Sequence, residues 1–417
     1  MSQQEEKDQY IDPNEVQEVV EETGDAEPIE EDDEVDEVNP DGMEQDDDDD
    51  GEDTIEIDMS NNSSGYFDTH TDSVFTVFSH PTLPLVVSGG ADNTAYLWTT
   101  HTQEPKIVAE LKGHGESVIA GGFTGDGAYV ITGDMAGKVN VYKSFKRGQK
   151  WEPYGSVEQV EEVTWIKVHP KQPFFAFGGA DGSVWCYQIE PSLEQVFSGF
   201  SHQADCTNGE FVNVDDLDSL DLVSVSEDGS IISWNCYTGQ ANYKIAQEQF
   251  KGQTPAWVNI AVHETAFAVT SRDAQVAVLN VQTGSIITVF KAVDMNSFND
   301  ELDASIEAIS WCSLSNLSLM AVGLVSGDVV IFDTNTWRPR RNIKVGDAVT
   351  KLFFIPQTPY LVGATIEGKI YKWDARTGEE LFVGVGHHMG VLDFAVQEGG
   401  NRLITAGDEG VSLIFNI

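Results

Sequence analysis

Eight times between Trp98 and the C-terminus the chain ends an alternating apolar stretch on an aromatic or large apolar residue followed by a polar one. The pairs are Trp98-Thr99, Tyr142-Lys143, Tyr187-Gln188, Trp234-Asn235, Leu279-Asn280, Phe332-Asp333, Trp373-Asp374 and Phe415-Asn416, spaced 44, 45, 47, 45, 53, 41 and 42 residues apart. A small-residue cluster, often Asp-Gly, precedes each of them. That period matches a four-stranded blade repeated around a ring, so the pattern predicts an all-β, eight-bladed β-propeller. Seven blades with one stray repeat is the alternative count.

The first repeat is the most complete and has the marks of a WD40 blade. His70, Ser88, Asp92 and Trp98 stand where a buried hydrogen-bonded set would tie three strands together, and His202, Ser224, Asp228 and Trp234 repeat them in the fourth. Buried polar groups persist only when satisfied, so such sets make a blade rigid. The other blades depart from this pattern: Ala136 and Ser326 stand at the aspartate position of the second and sixth, Glu367 and Glu409 at that of the seventh and eighth. Thr-Gly pairs at Thr238-Gly239, Thr283-Gly284 and Thr377-Gly378 suit hairpins into an outer fourth strand. The last repeat stops at Ile417, after its third strand, so its fourth is expected from Thr54–Ser60 or from the stretch through Phe67. That pairing would close the ring and remove its exposed edges.

Composition divides the chain near residue 60. Residues 1–60 hold 28 acidic residues and one lysine, against a net charge of −47 for all 417 residues. Segment 1–53, with its five-aspartate run Asp46 to Asp50, reads as a disordered acidic tail, and 54–417 as the propeller. The tail is either a solubilising segment or a polyanion that attracts a cationic client. Nucleic acid is disfavoured as a direct partner, since phosphate binding needs a basic footprint. Four unpaired-looking cysteines and the lack of a signal segment or membrane-length apolar run point to a cytoplasmic or nuclear setting.

Catalytic constellations fail on spacing. His263-Glu264 begins like a zinc-protease motif, but Phe267 stands where the second histidine belongs. Gly137-Lys138 ends like a phosphate loop, yet Val139 replaces the Ser or Thr. His387-His388 falls at a structural histidine position. No enzyme activity, metal or cofactor is expected. The rim carries more information. In a propeller, the loop before the first strand and the loop between the second and third strands open on one face. Asp72, Glu116, Glu161, Glu162, Glu307 and Asp347 fall at or near the first of these loops, and Asp134, Glu227 and Asp408 in the second. The long 53-residue interval contains an insertion at 293–304, with Asp294, Asp300, Glu301 and Asp303, expected to overhang the same face. A ring of like charge focuses field into the channel mouth and suits a Lys/Arg-rich peptide.

Particular stretches are more specific than a WD pattern. They are residues 58–63 with Phe67-Asp68 and 70–75, then 181–188, 301–307, 390–394 and 404–415. These resemble the fungal WD-repeat ribosome-assembly chaperones of the "suppressor of QSR truncations" type, relatives of the angio-associated migratory cell protein. The resemblance spans roughly 56–417. It implies a monomeric eight-bladed propeller dedicated to large-subunit ribosomal protein L-ten (uL-sixteen). Such a chaperone would bind the client's basic, Arg-rich N-terminal segment on the nascent chain at the ribosome, through an acidic top face, and deliver it for late 60S assembly in the cytoplasm. The matching carboxylates are Glu116, Glu162, Glu307 and Asp408. A histone-binding propeller and a general signalling scaffold are the rival readings.

Overall fold

A computed structural model describes residues 60–417. The proposed tail, 1–53, and the first part of the candidate closing strand, 54–59, lie outside the described residues. The described chain forms eight four-stranded antiparallel sheets, as the repeats predict. Seven of the third strands end at the expected pairs, for example Ala95–Thr99, Ile231–Asn235 and Ile370–Asp374, whereas that of blade 2, Lys138–Phe145, runs two residues past Tyr142-Lys143. The inner strands are Val74–Ser79, Val118–Phe123, Val163–Val168, Cys206–Val212, Trp257–His263, Ile306–Trp311, Val349–Phe354 and Val391–Gln397. We number the blades 1 to 8 by these strands.

Blade 8 is completed by Gly65–Phe67, which pairs antiparallel with Ser412–Asn416. Phe67 is the anchor of this closure. It is buried and stacks on Trp98 of blade 1, ring centroids 4.6 Å apart and ring planes nearly parallel. It joins a core of Val74, Val77, Val86, Ala395, Ile404 and Ile414 that belongs to blades 1 and 8 together. Other apolar clusters likewise fill the wedges between neighbouring blades, such as Trp165, Phe174, Phe211 and Trp234 between blades 3 and 4. Closure also has a polar latch. Asp393 of blade 8 accepts from Val77 N (2.9 Å) and Thr76 Oγ1 (3.1 Å) of blade 1, and pairs with Lys351 of blade 7. The Thr-Gly hairpins form as expected, with Gly239, Gly284 and Gly378 at φ of 69°, 66° and 80°, a region that favours glycine.

The buried polar sets hold the upper corner of several blades. In blade 1, Ser88 Oγ meets His70 Nε2 (2.8 Å) and accepts from Trp98 Nε1 (3.0 Å), while His70 Nδ1 meets Asp92 (3.0 Å). Blade 4 differs from the expected direct contact. His202 Nε2 meets Ser224 (2.7 Å), and Ser224 also accepts from Trp234 (2.8 Å). Its Nδ1 bonds Ser230 Oγ at 2.6 Å, whereas Asp228 stands 3.9 Å away. Asp228 instead accepts from Ser230 N (2.7 Å) and Gln203 N (2.8 Å), so Ser230 relays the contact that the sequence pattern assigned to the aspartate. Blade 8 builds its own version from His387, Thr405 and Glu409, the longer glutamate replacing aspartate. In blade 7, Glu367 accepts from Tyr371 Oη (2.7 Å), Lys369 Nζ (2.9 Å) and Gly346 N (3.1 Å). The departing blades thus carry substitute polar networks as well as apolar packing.

Gly137-Lys138, considered above as a phosphate-loop fragment, is a turn against the next blade. Gly137 has φ of 80°, and a Cβ there would fall 1.8 Å from Val160 O. The four cysteines are buried and unpaired. Among the described residues no helix is long and apolar enough to cross a membrane.

Candidate functional site

The face on which the inner strands begin is built by one hydrogen bond repeated around the ring. In every blade the residue after the second strand donates its N–H to the carbonyl just before the inner strand. The pairs are Ala91 to Ser73, Met135 to Ser117, Ala180 to Glu162, Glu227 to Asp205, Arg272 to Ala256, Val325 to Ser305, Ile366 to Ala348 and Asp408 to Gly390, at 2.8–3.2 Å. Each inner strand then bulges at its second residue: Phe75, Ile119, Thr164, Thr207, Val258, Glu307, Thr350 and Leu392. A bulge leaves that residue out of the ladder and re-aims its side chain. Where it is threonine, the hydroxyl is tied to the neighbouring blade, as in Thr164 to Cys206 O (2.5 Å), Thr207 to Trp257 O (2.7 Å) and Thr350 to Val391 O (2.6 Å).

These repeats fix which residues share the rim. Taking the two residues before each inner strand, the bulge, and the residue after each second strand, nine positions are carboxylates and one is basic. The carboxylates are Asp72, Glu116, Glu161, Glu162, Asp205, Glu227, Glu307, Asp347 and Asp408; the base is Arg272, which pairs with Glu227. Asp72, Glu116, Glu161, Asp205, Glu307 and Asp347 are exposed, and Glu162, Glu227 and Asp408 half-buried. Asp205 was missed in the sequence. The only signal for it was its place directly before the inner strand of blade 4.

Asp134 requires a correction. The sequence pattern put it in the open loop of blade 2, but it is fully buried as the last residue of the second strand. Its carboxylate meets His114 Nδ1 (3.1 Å) and accepts from Lys138 N (2.9 Å), Gly115 N (3.0 Å) and Ala136 N (3.1 Å). Burial pushes its carboxyl pKa up, but the bonds from His114, Lys138 N and Gly115 N outweigh it and hold the pKa below the ordinary value. With Thr132 bonded to His114 Nε2 (2.8 Å), it is the acid of a blade-2 corner, displaced two residues from the expected position.

The corner histidines do not offset the rim's charge where a shift is resolved. Burial pushes His202 down to about 4 and also lowers His70, outweighing the attraction of Asp228 and Asp92. Both are therefore neutral at pH 7. The insertion before blade 6 folds into two short 3-10 turns, Met295–Ser297 and Glu301–Ala304. Asp294 and Asp300 cap them, accepting from Asn296 N (3.0 Å) and Leu302 N (2.9 Å). Asp303 O accepts from Ser326 N (3.0 Å), which ties the insertion to the rim of blade 6. Of its four carboxylates, Glu301 and Asp303 are not used as caps. Among the described residues no group of three His, Cys, Asp or Glu is placed to hold a metal ion.

Comparison with known proteins places the chain in a family. Residues 61–99 match the WD40 family (WD domain, G-beta repeat). The ribosome assembly protein SQT1 of Saccharomyces cerevisiae is 46% identical over 388 residues, covering 88% of this chain and 89% of that protein. The human angio-associated migratory cell protein is 27% identical over 84% of this chain and 79% of its own length. The crystal structure of Saccharomyces cerevisiae Sqt1 superposes with a TM-score of 0.82, covering 86% of this chain and 100% of that one. Chaetomium thermophilum Sqt1 bound to the N-terminus of ribosomal protein L10 superposes with a TM-score of 0.76 at 25% identity, with 86% and 100% covered. The chain belongs to the Sqt1 family of ribosome assembly proteins, as a WD40 propeller with eight blades.

Proposed function

We propose that this protein is a dedicated, non-enzymatic chaperone of ribosomal protein L10 that takes the client's basic N-terminal segment on its carboxylate rim. The reading has it act as a cytoplasmic monomer, meet the client on the nascent chain, and deliver it for late large-subunit assembly. Glu116, Glu162, Glu307 and Asp408 are the principal client residues, with Asp72, Glu161, Asp205, Glu227 and Asp347 around them. The observation that carries it is the imbalance of the rim: nine carboxylates against one arginine that is already paired. A related Sqt1 bound to the L10 N-terminus adds support. Exposed ion pairs contribute only about 0.2–1 kcal/mol each, so the rim must engage several cations at once. Arginine suits it, because the guanidinium fork bonds carboxylates two at a time. A held segment is also withheld from RNA, which competes for the same cations.

Titration calorimetry of the full chain with the L10 N-terminal peptide tests this. Charge reversal at Glu116, Glu162, Glu307 and Asp408 together is expected to abolish binding while leaving the melting temperature unchanged. Equal affinity in the reversed protein, or preference for a histone-tail peptide, would contradict it.

A further inference from the structure

The rim is acidic but not uniform. On blades 3 and 4 the bulge residues are Thr164 and Thr207, whose hydroxyls are spent on neighbouring blades, and the surrounding rim is carboxylate: Glu161, Glu162, Asp205 and Glu227. On blades 8 and 1 the bulge residues are large and apolar, and so are two rim positions beside them, Ile366 after the second strand of blade 7 and Met389 before the inner strand of blade 8, although the blade-7 bulge is again a tied threonine, Thr350. Ile366 and Met389 are 40% and 50% exposed, and the bulge residues Leu392 and Phe75 are half-buried. Exposed side chains of this size in a row mark an interaction surface more often than chance solvent exposure.

These four residues lie at rim positions of three adjoining blades, 7, 8 and 1, and make up an apolar strip of the rim. A Cβ on Gly390, next to Met389, would lie 3.1 Å from Ile366 Cδ1, so blade 7 reaches directly onto blade 8. Blade 8 is joined to blade 1 at the same level, with Ser73 Oγ donating to Asp408 O (2.9 Å) and Asp393 bonded to Thr76 and Val77 N. Those bonds hold the neighbours of Leu392 and Phe75 together. Three carboxylates flank the strip: Asp347, Asp408 and Asp72. None of these four side chains belongs to the apolar clusters between blades 7, 8 and 1.

We propose that Ile366, Met389, Leu392 and Phe75 are specificity-determining residues that select clients carrying large apolar side chains between their cationic ones. This rests on the client-face reading above and adds to it. Charge alone holds any polycation, since Coulomb attraction is indifferent to what lies between the charges. An apolar strip bordered by carboxylates buries an interleaved aromatic ring only when neighbouring cations find partners on either side. The face then rejects Lys- or Arg-rich tails whose intervening residues are small and polar, because specificity is a difference of affinities rather than their sum.

Two synthetic peptides of equal length and charge test this with the full chain, one alternating arginine with tyrosine and the other arginine with serine. The wild-type protein is expected to bind the tyrosine peptide about tenfold more tightly or better. The double substitution Ile366→Ser with Met389→Ser is expected to erase that preference while leaving the affinity for the serine peptide unchanged. Both side chains are substantially exposed, so a melting curve should verify that the fold is retained, and the wild-type comparison stands independently of it. Equal wild-type affinities, or a preference that survives the double substitution, would overturn the strip alone. Failure of both peptides to bind would sink the client-face reading and the strip with it.

Discussion

Replacing Asp134 by asparagine should damage folding and leave client binding nearly untouched, the reverse of what its position in the sequence suggests. The carboxylate is buried and accepts from three backbone N–H groups while facing His114 Nδ1 at 3.1 Å. Asparagine preserves the volume, but one oxygen becomes an NH2 group, which can only turn a donor toward the donors already present. Hydrogen bonds to a charged group contribute about 1.5–3 kcal/mol each, and breaking a buried pair on one side costs about 3–5 kcal/mol. We take about 3–5 kcal/mol as the expected loss. Unfolding entropy for a propeller of this size makes that a fall of about 4–7 °C in melting temperature. Differential scanning fluorimetry reads the stability, and calorimetry well below the transition reads L10 peptide affinity, which should stay within about twofold. Glu116→Gln, on an exposed rim residue, should do the opposite. If Asp134→Asn weakened the peptide as much as Glu116→Gln with no change in melting temperature, the burial argument would be wrong.

Three further outcomes follow from the same structure. Phe67→Ala removes the ring stacked on Trp98 and loosens the strand that closes blade 8, costing about 3–5 kcal/mol; unchanged resistance to urea and protease would refute that anchor role. His70, His80, His169 and His202 all lie below their ordinary pKa because of burial, with His202 at about 4. The unfolded chain therefore binds more protons below about pH 6.5, stability falls as pH drops from there toward 4, and the urea midpoint should be lower at pH 5 than at pH 7. An equal midpoint would refute it. Finally, ribosomal RNA fragments should displace a fluorescent L10 peptide from the protein; a signal unmoved by RNA would sink release by competition for shared cations.

The blade count and the strand endings were legible because each third strand must finish on a large side chain that fills a wedge between sheets, as Trp98, Trp234 and Trp373 do. The closing strand was legible only as a choice of stretches, since Gly65–Phe67 is too short to carry a strand pattern of its own. Polar corners were harder. Asp134 sits two residues before the position that aspartate takes in blade 1, and loop length alone hides that offset. Ser230 standing between His202 and Asp228 has no sequence signal, because a serine after Asp-Gly suits a turn equally well. The apolar strip was invisible for a physical reason: a bulge sets one residue outside the ladder and shifts the alternation at a point that the residue types do not mark. Phe75 and Leu392 therefore read as ordinary inner-strand residues until the register break is seen.

The client is expected on the face where the inner strands begin. A photo-crosslinking amino acid placed at Glu116, at Asp347 or at Pro356 in the full chain tests this most directly. Pro356 follows the end of an inner strand, beside a cavity of about 920 Å³ lined by residues at the far ends of the inner strands of blades 1, 7 and 8. Crosslinks to the L10 N-terminal segment are expected from positions 116 and 347 and none from 356. Crosslinking from 356 alone would put the client at the far ends of the inner strands and contradict that expectation.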